Sequence, residues 1–217
     1  MDLKTMKKYI LLLALLLSST TFAVEPKFND NFKQTKNEIE TSSPGKIEVL
    51  ELFWYGCIHC YSMDPYLDKW ADSLPDDVVF KRVPAIPRKS WVPGAKAYYA
   101  LETLGLEGKL HEKLFDAIHK EKDVDPNNEA ALISWVTLNG KLDEKEVKAA
   151  FNSFSIDTKL KKSYKIFKEA GATGVPTIII DGNYMTSSTM AGGEQNAIDI
   201  TNYIIENIRN DRKKTSE

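Results

Sequence analysis

The chain has 217 residues, of which 42% are hydrophobic and 28% are charged, and its formal net charge is −2. This balance is typical of a globular protein, and the length suits one domain or one domain with an insertion. A net charge this close to zero argues against nucleic-acid binding and against a polybasic membrane anchor, so we expect no nucleic-acid partner.

The N-terminus has the pattern of an export signal. Lysines precede a short apolar run at residues 9–17, and Thr21-Phe22-Ala23 places small residues where a signal peptidase cleaves. The apolar run is shorter than the roughly 20 residues that a helix needs to cross a bilayer. We therefore expect residues 1–23 to be a cleaved signal peptide of an exported protein, with an uncleaved anchor as the alternative.

The first structured unit is predicted to be a strand followed by a helix and a second strand. Residues 46–55 are rich in β-branched, apolar and aromatic side chains, which is typical of a mostly buried strand. Gly56 ends this run, and the next apolar residues recur every three or four positions, which predicts a helix. The residues on this apolar face are Cys60, Met63, Leu67, Trp70 and Leu74. Residues 75–77 break the pattern, and residues 78–83 predict the second strand.

The middle of the chain changes to helical spacing, and strand character returns later. Residues 93–170 show apolar stripes separated by glycine, proline and asparagine, which predicts four or five helices. Residues 175–180 predict a strand, Asp181-Gly182 a tight turn, and residues 183–185 a partner strand. A last helix is predicted from about Glu194. This order favours one α/β sheet interrupted by a helical block.

Cys57 and Cys60 are the two cysteines of the chain. A bridge between them would close a very small loop and would restrict the unfolded chain little. A redox role therefore explains the pair better than a stabilising disulfide does. Cys57 falls at the start of the predicted helix, where the helix dipole and a neighbouring cation such as His59 lower the pKa of a thiol. Cys60, one turn later, would be the resolving thiol. A stabilised thiolate favours the reduced protein and therefore makes the disulfide oxidising.

Other uses of the cysteine pair fit the sequence less well. A structural zinc site needs four ligands, and no second cysteine pair is present. His111 and His119 lie eight residues apart in the helical block, where we interpret them as helix-surface residues. Haem attachment requires His directly after the second cysteine, where this chain has Tyr61. A purely structural disulfide stays open as an alternative, and we expect neither a metal nor another cofactor.

These features together resemble the DsbA family of periplasmic disulfide-forming enzymes, within the thioredoxin superfamily. The resemblance rests on L-E-L-F-W-Y-G before the cysteines, on C-I-H-C at a helix start, on the helical block, and on G-V-P-T at residues 174–177. It implies an α/β thioredoxin-like fold with an inserted all-helical domain. The implied parts are residues 24–88 and 171–217 for the thioredoxin-like domain and residues 89–170 for the insertion.

The resemblance also implies roles for individual residues. Cys57 would be the exposed nucleophile, Cys60 the resolving thiol, and His59 the histidine between them. Pro176 would be the cis-proline of the fold, and Val175 before it would offer its backbone to an extended substrate. From the sequence alone, a trans proline that opens a strand remains the alternative.

Glu51 would be the family's buried acid, six residues before the nucleophile. Burial would raise its pKa and make it a candidate proton acceptor for Cys60, although strand alternation also allows a glutamate that faces solvent. Asp64 stands where the family has glutamate, and it could equally be a helix-surface residue. Ile58 stands where many relatives have proline, which leaves the redox potential open. An apolar rim for substrates could be formed by Trp54, Tyr61, Met63 and Trp91.

The function implied is that of a monomeric periplasmic oxidase. It would donate its Cys57–Cys60 disulfide to reduced, unfolded exported proteins through a mixed disulfide. A DsbB-like inner-membrane oxidase would then restore the disulfide. The alternatives are an isomerase or reductase of the same superfamily, and a non-catalytic periplasmic chaperone.

Overall fold

The computed structural model describes residues 26–216, so the signal peptide expected at residues 1–23 lies outside the described residues. The strands are β1 (Lys33–Gln34), β2 (Ile47–Phe53), β3 (Val78–Pro84), β4 (Thr177–Ile180) and β5 (Tyr184–Thr186). The helices are α1 (Ile58–Ala71), α2 (Val92–Thr103), α3 (Glu107–Asp116), α4 (Glu129–Gly140), α5 (Glu144–Phe151), α6 (Phe154–Ala170), α7 (Ser188–Ala191) and α8 (Glu194–Ser216). A 3₁₀ turn (Lys89–Trp91) leads into α2, and a π-helical segment (Ala117–Glu121) follows α3.

The five strands form one sheet in the order β1-β5-β4-β2-β3. β2 runs parallel to β3 and antiparallel to β4, with Val49 opposite Ile180 and Leu52 opposite Thr177. All seven residues of β2 are buried, which explains why its sequence is a nearly continuous apolar run rather than an alternating one. The sheet therefore places the C-terminal end of β2, and the cysteines after it, beside the N-terminal end of β4.

The helical block packs against the end of β2 that leads to the cysteines. Phe53, Tyr55 and Cys60 belong to the same apolar cluster as the buried faces of α2 to α6. A second cluster joins the other face of α1 to α8. The helix that starts at the cysteines is thus fixed between the helical block and the last helix.

The expected thioredoxin-like α/β fold with a helical insertion is confirmed, with five α-helices between residues 92 and 170. Two elements have no counterpart among the predicted ones: the two-residue strand β1 and the single-turn helix α7. Helix α1 ends at Ala71 rather than at residue 75, because its apolar spacing continues past the last helical turn. Within residues 26–216, each helix is too short or too polar to span a bilayer.

Candidate active site

Cys57 is the N-cap residue of α1. Its backbone is extended, with φ −94° and ψ 113°, and its sulfur accepts a hydrogen bond from the backbone N–H of Cys60 at 3.3 Å. The N–H of Cys57 donates to the carbonyl of Trp54 at 2.9 Å, which closes the turn after β2. The sulfur therefore takes the place of the oxygen that usually caps a helix, where unpaired N–H groups and the helix dipole favour an anion.

The two thiols, both unbridged in this structure, differ sharply in environment. The hydrogen bond from the Cys60 thiol has the largest effect on Cys57. Together with the N–H groups of Cys60 and His59 and the charge of His59, it outweighs burial and lowers the pKa of Cys57 from 9.0 to about 6. Cys60 is fully buried, and burial raises its pKa well above 9.0. The pair therefore consists of a half-buried anionic sulfur and a buried neutral thiol.

The expected proline loop lies next to Cys57. The Val175–Pro176 peptide bond is cis, and Cys57 Sγ lies 3.4 Å from the carbonyl oxygen of Val175. Pro176 is buried and Val175 is half-buried. The structure thus brings together the nucleophile and the backbone segment that the sequence proposed for substrate contact.

Glu51 is buried in the middle of β2, with 1% of its surface exposed. The alternative in which it faces solvent is therefore wrong. Arg82 on β3 brings its Nε within 3.3 Å of Glu51 Oε2, but the two atoms lack the geometry of a hydrogen bond. Burial dominates over the charge of Arg82 and raises the pKa of Glu51 from 4.5 to about 8. The charge of Glu51 in turn contributes to the raised pKa of Cys60.

Asp64 is also buried, and the interpretation of Asp64 as a helix-surface residue is wrong. Its Oδ1 accepts from Arg82 Nη2 at 2.9 Å and lies 3.1 Å from His111 Nε2. Burial alone would raise the pKa of Asp64. The hydrogen bonds from His111 and Arg82, together with the charge of Arg82, outweigh burial and hold that pKa below 3.8. Glu51, Arg82, Asp64 and His111 form one group of buried polar side chains, which we call the acid cluster.

The two histidines of the helical block are not ordinary surface residues, which corrects our interpretation. His111 is 4% exposed and belongs to the acid cluster. The half-buried His119 contacts the carbonyl of Tyr55 at 2.7 Å and stacks on Tyr61, with ring centroids 5.1 Å apart. Spacing could have indicated the position of His111, because it stands four residues before the buried Phe115 on the same helix face.

The rim around the cysteines differs in part from the expected one. Met63 is fully buried and does not contribute to the rim, because it faces the second apolar cluster. Trp54 and Trp91 are half-buried and stack with centroids 4.1 Å apart, while Arg88 lies over Trp91. Ile58, at the first position of α1, is 53% exposed. The exposed apolar side chain next to Cys57 is therefore Ile58, while Trp54 and Trp91 stack on each other and the half-buried Tyr61 stacks on His119.

Comparisons with known proteins point to one family. The model of the DSBA-like thioredoxin domain matches residues 80–203. The thiol:disulfide interchange protein DsbA of Pseudomonas aeruginosa is 34% identical over 213 residues, which cover 94% of this chain and 99% of that protein. DsbA of Azotobacter vinelandii is 35% identical over 185 residues, covering 84% and 85% of the two chains.

Solved structures agree with the sequence comparisons. The crystal structure of Pseudomonas aeruginosa DsbA superposes with a TM-score of 0.81 at 32% identity, covering 88% of this chain and 98% of that chain. DsbA from Xylella fastidiosa gives a TM-score of 0.79 at 28% identity, covering 85% and 98%. The chain belongs to the DSBA-like thioredoxin domain family and is a thiol–disulfide oxidoreductase.

Proposed function

We propose that this protein introduces disulfide bonds into reduced, unfolded exported proteins by donating a Cys57–Cys60 disulfide. The observation that carries the proposal is the contrast between a capped, anionic Cys57 sulfur and a buried Cys60 thiol. An anionic sulfur stabilises the reduced protein relative to the disulfide, and the disulfide therefore oxidises other thiols readily.

The exchange proceeds in two steps that balance in electrons and protons. A substrate thiolate attacks Cys57 Sγ of the disulfide, the Cys57–Cys60 bond breaks, and the Cys60 thiolate takes a proton from the neutral Glu51 carboxyl group. A second substrate thiolate then attacks the substrate sulfur of the mixed disulfide and releases Cys57 as a thiolate. The substrate loses two electrons to form its disulfide, and the protein gains them as two reduced sulfurs.

Residues around the sulfurs have supporting roles in this proposal. Glu51 is suited to proton exchange with Cys60, because its pKa of about 8 lets it hold a proton at neutral pH, give that proton to Cys60 as the disulfide opens, and accept it back when the disulfide re-forms. His59 adds charge that favours the Cys57 thiolate. The backbone of Val175, which lies beside Cys57 and before Pro176, positions an extended substrate next to the sulfurs.

The cellular setting is part of the same proposal. The export pattern of residues 1–23 supports a periplasmic location, and the resemblance to the DsbA family implies re-oxidation by a DsbB-like inner-membrane oxidase. We also propose that the protein acts as a monomer without a cofactor. Residues 24–88 and 171–217 would form the thioredoxin-like domain, and residues 89–170 its helical insertion.

Trapping experiments test the role of each sulfur. A Cys60→Ser variant should accumulate mixed disulfides with unfolded proteins that carry a disulfide, because the Cys57 thiolate attacks that disulfide, releases one partner thiolate, and has no resolving thiol beside it. The matched Cys57→Ser variant should accumulate none. If both variants trapped partners equally, Cys57 would not be the nucleophile.

Activity assays separate oxidation from the alternatives. The oxidised protein should transfer one disulfide per molecule to a reduced, unfolded substrate and should rearrange a scrambled substrate slowly. Fast rearrangement without net oxidation would identify an isomerase. Binding without any disulfide transfer would identify a chaperone.

A further inference from the structure

His111 connects the helical block to the buried side of the active site. It lies on α3, its Nε2 is 3.1 Å from Asp64 Oδ1, and its Nδ1 is 2.8 Å from the hydroxyl of Tyr55. Aromatic rings surround it, with Phe53 and Phe115 at centroid distances of 5.3 and 5.1 Å. A buried imidazole with both nitrogens engaged by buried partners has a fixed position and a defined hydrogen-bond direction.

The partners of His111 determine that direction. Asp64 is held as an anion by Arg82 and His111, so it accepts a hydrogen bond and His111 Nε2 donates it. Burial raises the pKa of Tyr55 well above 10.0, so Tyr55 keeps its proton and can donate it to Nδ1. Donation to Nδ1 polarises the ring and strengthens the Nε2–H donor. Tyr55, His111 and Asp64 therefore form a chain of hydrogen bonds that ends on the Asp64 carboxylate.

Arg82 transmits the state of Asp64 to Glu51. Its Nη2 lies 2.9 Å from Asp64 and 2.5 Å from Asp68, and its Nη1 lies 3.8 Å from Glu107. The contact of Arg82 with Glu51, at 3.3 Å through Nε, lacks hydrogen-bond geometry. One guanidinium is thus shared among four carboxyl groups. If Asp64 attracts the Arg82 guanidinium more strongly, the guanidinium stabilises the Glu51 carboxylate less.

We propose that His111 is a positioning residue for thiol–disulfide exchange, because its hydrogen bond to Asp64 leaves Arg82 available to Glu51 and so sets the pH range in which Glu51 exchanges its proton with Cys60. This inference rests on the role proposed above for Glu51. Without the Nε2–H donor, the Asp64 carboxylate attracts Arg82 more strongly. Glu51 then keeps its proton to a higher pH.

Other charged and titratable groups surround Glu51 and His111, and they are the same in the wild-type protein and in the variants compared below. Those that face Glu51 are Arg82 on β3, Asp64 and Asp68 on α1, and Cys57 at the start of α1. Those that face His111 or its partners are Asp64 on α1, Tyr55 after β2, Tyr98 on α2, Glu107 on α3 and Arg82 on β3.

Two substitutions of His111 with side chains of similar size test the role of its Nε2–H donor. His111→Gln retains an N–H near the position of Nε2, and His111→Met removes it at similar size. The titration of the Glu51 carboxyl carbon is followed by NMR in the reduced protein, with Glu51→Gln identifying the signal. We expect the Glu51 midpoint to rise by about half a pH unit in His111→Met, a threefold change in its dissociation constant, and to return towards that of the wild-type protein in His111→Gln.

A second matched pair keeps the test valid if His111→Met does not fold. Tyr55→Phe removes the hydroxyl that polarises His111, and Tyr99→Phe removes a buried hydroxyl of the same kind that bonds Ser163 in the helical block. We expect Tyr55→Phe to raise the Glu51 midpoint by a smaller amount than His111→Met, and Tyr99→Phe to leave it unchanged.

Two results would overturn the inference: equal Glu51 midpoints in the Met and Gln variants, or equal shifts in Tyr55→Phe and Tyr99→Phe. The proposed role of Glu51 is tested separately by the pH profile of disulfide donation. If Glu51→Gln leaves the alkaline limb of that profile intact, Glu51 does not supply the proton, whatever the midpoints of the histidine variants are.

Discussion

Replacing Glu51 by glutamine should make the protein more stable than the wild type at alkaline pH. At acid pH this gain in stability should disappear. Burial raises the pKa of Glu51 to about 8 in the folded protein, compared with 4.5 for an ordinary glutamate. The folded state therefore binds this proton more tightly than the unfolded state does. The wild-type protein loses stability as pH rises from about 4.5 to about 8, and glutamine has no such proton to lose.

The size of the effect follows from that interval. Each pH unit between the unfolded and the folded pKa of Glu51 contributes about 1.4 kcal/mol, so the full interval amounts to about 5 kcal/mol at pH values above 8. Solvent does not screen this effect appreciably, because Glu51 is 1% exposed. Below about pH 4.5 both side chains are neutral, and their difference there reports only the change in shape.

Glu48 provides a matched control on the same strand. It is also buried, at 3% exposed, but Lys81 and the serines at 42 and 43 bind its carboxylate. Burial alone would raise the pKa of Glu48, yet these partners lower it below 4.5. The stability that Glu48 contributes is present above the unfolded pKa and is lost as pH falls through the lower folded pKa. Glu48→Gln should therefore be destabilised relative to the wild type at neutral pH, and less so in acid.

Urea unfolding of the reduced wild type and of both variants, from about pH 5 to about pH 9, measures these differences. The advantage of Glu51→Gln should grow with pH, while the deficit of Glu48→Gln should stay nearly constant, because the unfolded and folded pKa values of Glu48 both lie below this range. An advantage of Glu51→Gln that stayed flat across this range would mean that Arg82 keeps Glu51 ionised in the folded protein. The reasoning from burial would then be refuted.

Three further substitutions test the surroundings of the sulfurs. His59→Ala should raise the Cys57 pKa by about half a pH unit, measured by thiolate absorbance, and make the disulfide less oxidising, whereas an unchanged pKa would remove His59 from the site. Gly56→Ala should cost about 1–3 kcal/mol and weaken the tryptophan stack seen by near-ultraviolet circular dichroism, because the added Cβ would overlap the Trp54 ring. Phe53→Ala should cost about 3–5 kcal/mol in thermal or urea unfolding, because Phe53 is fully buried where β2 meets the helical block; a loss below 1 kcal/mol would contradict that packing.

Local patterns predict most of the fold. The apolar run of β2, the three-to-four spacing of α1 and the Asp181-Gly182 turn each depend on residues adjacent in sequence, and the structure has all three. β1 was not predictable, because two residues, Lys33 and Gln34, carry no periodicity and are held only by pairing with β5. Pairing between strands more than a hundred residues apart produces no pattern in the local sequence of either strand.

The active site was predictable in its sulfurs and less so in its buried polar groups. The positions of Cys57, Cys60 and Pro176 follow from a short motif and a known loop. Asp64 and His111 were interpreted as surface residues because each is polar and stands on a helix. In the fold, Arg82 on β3 and His111 on α3 both pair with Asp64 on α1. Charge compensation among three separate elements is a tertiary property, and the spacing within any one of them does not reveal it.

The pairing of β2 with β4 has a consequence for biosynthesis. Val49 and Ile180 face each other across the sheet, yet the whole helical block separates them along the chain. A chain synthesised from its N-terminus presents both cysteines long before β4 exists, and contacts this distant in sequence form slowly. The helices between them have mostly local contacts and can form first. Newly synthesised chains therefore pass through an interval in which both thiols are present before the proline loop that later lies beside Cys57.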